Sequence, residues 1–538
     1  MRQRRTYISV CLLIAAGFLV GCEQQPASFS PVGQTGPDVQ SPAKIPAEPQ
    51  IPQVNAAELP AETEVWTVVY MPDKNEQLQK VGYSRIAGRL YKEGDNQYGH
   101  QHGRSEITMV REGSTLTQQI DLQSWDDSFG RIVRFESRIG TGGPGDIVSS
   151  GRVGQGGMIV TTSTQGKAIK KFVAWPERCG GFFAVENSLE RNPLKAGETR
   201  TVPGLIPAFN LPGETTLTAL EEEEVDIRGL TQRLLKIKNE IKIPGVPEPI
   251  ISYCWTNARG ETIKRFEPSF KQEDYRTTKE IALRKDDIGK IDLLEGTIVK
   301  LKGTLPDTRE MPLAHAEYYA RLKDDKLEGQ FRTDEFQQVE KIDDHSLRLK
   351  ITQVDPTKKV DEKLRGEQPT PEESAPNSLI QSDDPAVVEL AKSIVPDSID
   401  DPTIIALALE TGVRRHITNS NYSRAFDTAA EVVRTKEGDC TECAVLLAAV
   451  CRAKKIPSRV VLGLVYYQKQ SGFAYHMWNE VWTGDRWLPL DATVAQGTVG
   501  ADHIKLRHSS LHGETAYAVM MSLLQVVNRL ELEVVQTK

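Results

Sequence analysis

Apolar positions along this chain change period several times, and each change predicts a boundary. Residues 8–20 form one short apolar run behind Arg2, Arg4 and Arg5, whereas residues 23–60 contain few large apolar side chains. From residue 64 the alternation is two-fold. Residues 65–70, 105–111, 116–122, 132–137, 231–243 and 250–256 are expected as strands, the last followed by a turn at Asn257-Ala258-Arg259-Gly260. This spacing predicts an antiparallel meander over 61–280, curved into a sheet or partial barrel. Glycines between 140 and 157 suit hairpin turns rather than a phosphate loop, and the acidic run 221–224 suits a solvated strand or loop. A second β-rich segment is expected over 281–357, with strands at 298–301, 316–320 and 347–351. The charged, proline-containing stretch 358–380 is expected to be a linker.

Beyond residue 381 the period lengthens towards that of a helix. Asp384-Pro385 and Asp401-Pro402 each set an N-cap before a proline at the first helical position, and Asp427 is placed to cap a third, short helix. A helix is expected from Cys440, with Ala444, Leu447, Ala448 and Cys451 on its core face. Residues 473–482 and 487–490 are expected to form a hairpin around Gly484-Asp485. A strand at 503–506, a helix at 514–524 and a strand at 526–535 complete the pattern. The fold class is α+β: antiparallel β-rich regions first, then an α+β domain over 381–538.

Candidate chemistry gathers between residues 437 and 493. Gly438 breaks the preceding structure, and Asp439 with Glu442 makes an acidic form of the capping box, which puts Cys440 at the first helical position. There the helix dipole favours a thiolate, and backbone N–H groups are available to an oxyanion. The hairpin register sets Trp482 opposite Trp487 and Trp478 opposite Asp491, making His476 and Asp491 diagonal neighbours. His476, Trp478, Glu480 and Trp482 then share a face with Trp487, Pro489 and Asp491, while Met477, Val481, Leu488 and Leu490 take the apolar face. Pro489 could shift this register through a bulge.

Four motifs, in order, carry a resemblance: Gly438-Asp439-Cys440-Thr441-Glu442; Arg452-Ala453 with Ile456-Pro457-Ser458-Arg459-Val460-Val461; His476-Met477-Trp478-Asn479-Glu480-Val481; and Trp487-Leu488-Pro489-Leu490-Asp491-Ala492-Thr493. Over residues 382–511 the sequence resembles the core of the bacterial transglutaminase-like superfamily. The resemblance implies a papain-like fold with Cys440 as nucleophile, His476 as general base and Asp491 as the acid that orients it. Cys443 departs from relatives that often carry histidine or an aromatic residue there, and it is a candidate redox partner of Cys440. Trp478 and Tyr422 are candidates for the substrate or oxyanion region, Tyr422 by position only. The expected activity is thiol acyl transfer on amide bonds of proteins or peptides, as a transglutaminase or a cysteine peptidase or amidase. The alternatives are an inactive member serving as a binding scaffold, and a Cys-x-x-Cys thiol redox protein.

Composition narrows the remaining classes. At 538 residues, with 39% hydrophobic and 26% charged residues, the chain can build cores for about three to four domains. A net charge of −8 argues against nucleic acid as a partner. Residues 1–21 have the layout of a secretory signal, and Leu19-Val20-Gly21-Cys22 resembles a bacterial lipobox, which implies lipid on Cys22. Residues 22–60 would then be a disordered, proline-rich tether, and the protein would sit on a bacterial envelope membrane facing the periplasm or outside. Neither a cofactor nor a metal is expected. Cys179 and Cys254 could pair in an oxidising compartment, and Cys451 is expected as a buried, inert thiol. His100 and His102 are expected in a loop, and His503, His508 and His512, which lack ligand spacing, on the surface.

Overall fold

The computed structural model describes residues 63–537, apart from 94–95, 112–113, 141–145, 165–166, 208, 245–248, 286, 290, 293–296, 309–310, 323–329, 361–363, 420–426 and 513–525. The signal sequence, Cys22, the tether, Tyr422 and the helix expected at 514–524 lie outside the described residues.

Among the described residues, fourteen antiparallel strands from β1 (Thr63–Pro72) to β14 (Gln272–Thr277) form one sheet. The chain closes this sheet in its middle, where β1 pairs β14, so that β8 (Lys167–Ala174) and β9 (Thr199–Ile206) lie at its two ends. Ile86, Phe135 and Met158 from one wing share a cluster with Leu205, Leu211 and Ile241 from the other. The sheet therefore curls over its own apolar face, as small antiparallel β units do to bury that face. Phe183, fully buried ahead of helix α1 (Ala184–Arg191), fills the fold. A short helix, α2 (Lys279–Leu283), leads out. Cys179 and Cys254 are buried, unpaired thiols, so the suggested disulfide is absent. His100 and His102 lie in a strand (Asn96–Arg111), not in a loop: His100 stacks on Trp125, and His102 pairs with Asp121.

The second sheet has nine strands among the described residues: β15 (Val299–Lys302), β16 (His315–Leu322), β17 (Gln337–Lys341), β18 (Ser346–Thr352), β19 (Ser458–Tyr467), β20 (Gly472–Trp482), β21 (Trp487–Leu490), β22 (His503–Ser509) and β23 (Leu530–Thr537). Its order is β17-β18-β16-β23-β15-β20-β19-β22, with β21 hydrogen-bonded to β20. The segment expected to stand by itself at 281–357 is thus part of the C-terminal unit, because β23 from the far end of the chain inserts between β15 and β16. Nor is 358–380 a free linker. Trp487 Nε1 donates to the Glu367 carbonyl at 2.8 Å, and Arg452 Nη1 to the Ala375 carbonyl at 2.8 Å, strapping this stretch to the sheet and to the helix Cys440–Ala453.

Among the described residues, four α-helices complete the C-terminal unit: α3 (Pro385–Ile394), α4 (Pro402–His416), α5 (Ala429–Thr435) and α6 (Cys440–Ala453). Asp384 and Asp401 cap α3 and α4 with proline at the first positions, as the sequence suggests. The cap of α5 is Thr428 rather than Asp427, since the Thr428 hydroxyl accepts from Glu431 N. Every residue of α6 from Glu442 to Arg452 is buried, because α3, α4, α5 and β20 surround the helix.

Candidate active site

The first turn of α6 is fixed by carboxylates. Asp439 accepts from Thr441 N at 2.8 Å, and Glu442 Oε2 accepts from Asp439 N at 2.9 Å, which completes the expected capping box. Glu442 Oε1 also takes the Asp427 N–H at 3.1 Å, so the approach to the helix is held from two sides. Burial pushes the Glu442 carboxyl well above its ordinary range, with the neighbouring Asp439 acting in the same direction. Gly438 is required by close packing: a Cβ there would lie 2.3 Å from Glu442 Cβ. As the first residue of the helix, Cys440 has a backbone N–H with no intrahelical acceptor.

Helix and sheet are pinned to each other beside this turn. Asn479 Nδ2 donates to the Ala444 carbonyl at 2.9 Å, and Ser458 Oγ to the Ala448 carbonyl at 2.9 Å. The hairpin joining β20 and β21 has the expected register, with Trp482 opposite Trp487 and Asn479 opposite Leu490. That register carries Asp491, the residue after β21, to His476. His476 Nε2 lies 2.8 Å from Asp491 Oδ2, and the Cys440 thiol lies close enough to the same imidazole to act on it by charge and hydrogen bonding. Burial disfavours the imidazolium of His476, but Asp491 and Cys440 outweigh it and raise the pKa well above the usual histidine value. Burial likewise opposes ionisation of Asp491, yet His476 and His503 hold its carboxyl far below the ordinary range. Cys440 is partly exposed, whereas Cys443 and Cys451 are buried.

Two groups that sequence reasoning left out also meet Asp491. His503 is 4% exposed, not on the surface, and its Nε2 lies 3.4 Å from Asp491 Oδ2. Its Nδ1 lies 3.0 Å from Asp502 Oδ1. Glu410, on α4, accepts from Asp491 N at 3.3 Å and from Gly497 N at 3.2 Å. Burial, helped by Asp491, pushes the Glu410 carboxyl up to about 8. Glu410 shares an apolar stripe with Ala406, Leu409 and Val413, and a carboxylate in such a stripe is the signal that could have found it. His508 is not a free surface group either, since its Nε2 pairs with Glu367 at 2.9 Å.

Trp478 takes a different place from the one expected. At 1% exposure it cannot line a substrate surface; its ring packs at 6.3 Å from His476 and 5.2 Å from His503, beneath the imidazoles. Gly463 makes room for it, because a Cβ there would lie 2.4 Å from the indole. Burial pushes the Cys443 thiol strongly upward, and neither Cys440 nor Cys443 is in a disulfide, an arrangement that suits packing better than thiol exchange. The potential ligand atoms of His476, Asp491 and His503 lie within 4.8 Å of one another. The Nε2 atoms of His476, at 2.8 Å, and of His503, at 3.4 Å, are turned onto the same Asp491 oxygen, which links the three side chains as a hydrogen-bonded chain.

A comparison with curated proteins returned no match. Solved structures with low similarity include a candidate cysteine protease from Cytophaga hutchinsonii, at 15% identity, covering 42% of this chain and 86% of that one with a TM-score of 0.25. A β-barrel-like protein from Brucella abortus aligns at 9% identity over 40% of this chain and 95% of its own, with a TM-score of 0.29. A candidate protease from Parabacteroides distasonis aligns at 10% identity over 67% and 68% of the two chains, with a TM-score of 0.18. Residues 390–492, which hold Cys440, His476 and Asp491, match the family model described as the transglutaminase-like superfamily, and the chain therefore carries a transglutaminase-like domain.

Proposed function

We propose that this protein is a thiol acyl-transfer enzyme acting on amide bonds of proteins or peptides. The observation that carries the reading is one imidazole, His476, that lies 2.8 Å from the carboxylate of Asp491 and interacts with the thiol of Cys440. With His476 raised, a thiolate–imidazolium pair is the reactive form. The Cys440 sulfur attacks the amide carbonyl carbon, and the C=O π pair moves onto oxygen beside the Cys440 N–H at the start of α6. As the carbonyl re-forms, the C–N bond breaks and the amine leaves with a proton from His476, giving a thioester. Water or a primary amine then attacks that thioester, gives its proton to His476, and releases the Cys440 thiolate. Asp491 keeps the imidazole turned and stabilises its charge. Water makes the reaction hydrolytic, and an amine makes it transglutamination.

Lipid on Cys22 would hold the enzyme at a bacterial envelope membrane, with residues 22–60 as the tether. No helix among the described residues is long and apolar enough to cross a membrane. The test is purified chain with a denatured protein substrate, following both new amino termini and incorporation of a fluorescent primary amine. One product should form, and Cys440→Ala should abolish it without changing the unfolding transition. Equal turnover by Cys440→Ala would remove the thiol mechanism.

A further inference from the structure

We propose that His503 is a positioning residue of this site: a permanently protonated imidazole that holds Asp491 as a carboxylate and sets the charge felt by the Cys440–His476 pair. The proposal rests on the acyl-transfer reading above. Its starting point is hydrogen-bond bookkeeping. A neutral imidazole offers one N–H donor and one lone pair, whereas an ionised carboxylate only accepts. His503 has a carboxylate oxygen at each ring nitrogen, Asp502 Oδ1 at 3.0 Å and Asp491 Oδ2 at 3.4 Å. A neutral ring would point a lone pair at one of these oxygens inside a buried site, where such repulsion is costly. Both nitrogens therefore carry protons.

The surroundings agree. Burial opposes ionisation of Asp502 as well as of Asp491, yet His503 pulls the Asp502 carboxyl below the ordinary range, and His476 together with His503 does the same for Asp491. The other groups around the ring are the His476 imidazole, centred 5.9 Å away, and the Trp478 indole. Tyr318 and Tyr466 lie near Asp502, and Glu410 caps the Asp491 backbone. The turn before His503 is fastened independently of the ring. Ala501 N donates to the Leu313 carbonyl at 2.7 Å, Tyr318 Oη to the Ala501 carbonyl at 2.7 Å, and Tyr466 N to the Asp502 carbonyl at 2.9 Å. His503 thus arrives preorganised on β22, and the ring is free to act on Asp491 by charge.

The charge count gives a signed consequence. Asp491 and Asp502 carry two negative charges and His503 one positive, so one negative charge faces the His476 imidazolium. Removing the His503 charge leaves two, which favours protonated His476 further and disfavours the Cys440 thiolate. Removing the Asp502 charge does the reverse.

The pH dependence of Cys440 alkylation by iodoacetamide reads this directly in the full purified chain, with no substrate needed. Peptide mass spectrometry assigns the site. His503→Gln, which still donates a hydrogen bond but carries no charge, should move the alkylation profile to higher pH by on the order of one unit. Asp502→Asn should move it to lower pH, and the double variant should return it towards wild type. A residue acting only through packing would produce no such opposite signs. If His503→Gln fails to fold, Asp502→Asn carries the test by its direction alone. A His503→Gln profile superimposed on wild type, or an upward shift in Asp502→Asn, overturns the proposal while leaving the thiol reading intact. A wild-type chain in which Cys440 alkylates no faster than Cys443 or Cys451 ends both.

Discussion

Glu410 gives the deepest prediction about the scaffold behind the site. Its carboxyl is 1% exposed and accepts backbone N–H groups from Asp491 and Gly497, which is the loop that presents Asp491. Burial first, and the Asp491 carboxylate second, lift its pKa from 4.5 to about 8. The sign follows from proton counting: between about pH 4.5 and 8 the folded chain holds a proton that the unfolded chain has lost, so stability falls as pH rises through that window. A shift of this size corresponds to about 5 kcal/mol at its upper limit, fully lost above pH 8. Glu410→Gln removes the titration and keeps the shape. Its amide nitrogen cannot accept, so one backbone N–H loses its partner at a cost of about 1–3 kcal/mol. The variant should therefore be less stable than wild type near pH 5 and should lose less stability on going to pH 8. Urea unfolding of both proteins across that range, following the transition of the C-terminal domain, measures the difference. Parallel pH slopes in the two proteins would refute the buried, protonated carboxyl.

Other predictions follow from single contacts. Glu480 is 2% exposed and bridges Arg459 Nε, at 2.7 Å, and Lys505, so Glu480→Gln removes the carboxylate the two buried cations share and leaves Arg459 with Glu367 and Glu373 and Lys505 with Asp334; the domain should lose about 1–3 kcal/mol in denaturant unfolding. Gly463→Ala pushes a methyl into Trp478 and the Ile504 carbonyl; its Cys440 alkylation should slow several-fold as the Trp478–His503 packing shifts, and an unchanged rate would count against that packing. Cys22→Ser should release the protein from the membrane fraction or block its processing, and mass spectrometry of the mature N-terminus checks the lipid directly.

Local structure was legible from local signals. The Asp439–Glu442 box sets Cys440 at a helix start, and the Gly484-Asp485 hairpin sets Asp491 beside His476, because each depends on neighbours a few residues away; packing of α6 on β20 then brings the helix start to the hairpin. What escaped depends on long-range pairing. His503 looked like a surface histidine because its partner Asp491 reaches it only after β22 pairs with β19, and ligand spacing is no guide to a hydrogen-bonded chain. The insertion of β23 between β15 and β16, which merges 281–357 with the C-terminal unit, leaves no trace in the period of either strand. Trp478 was placed on the correct face of β20, but that face is itself covered, so alternation alone could not tell a buried ring from a substrate platform.

The central claim is that Cys440 is a nucleophile activated by His476, and its alkylation rate at neutral pH tests it most directly. Purified wild type, His476→Ala and Asp491→Asn would be treated with limiting iodoacetamide, and each thiol quantified by peptide mass spectrometry. Cys440 should label at least ten-fold faster than Cys443 and Cys451 in wild type, since it alone of the three is partly exposed and faces an imidazolium. His476→Ala should remove most of that advantage, and Asp491→Asn part of it. A Cys440 rate unchanged by His476→Ala would contradict the account.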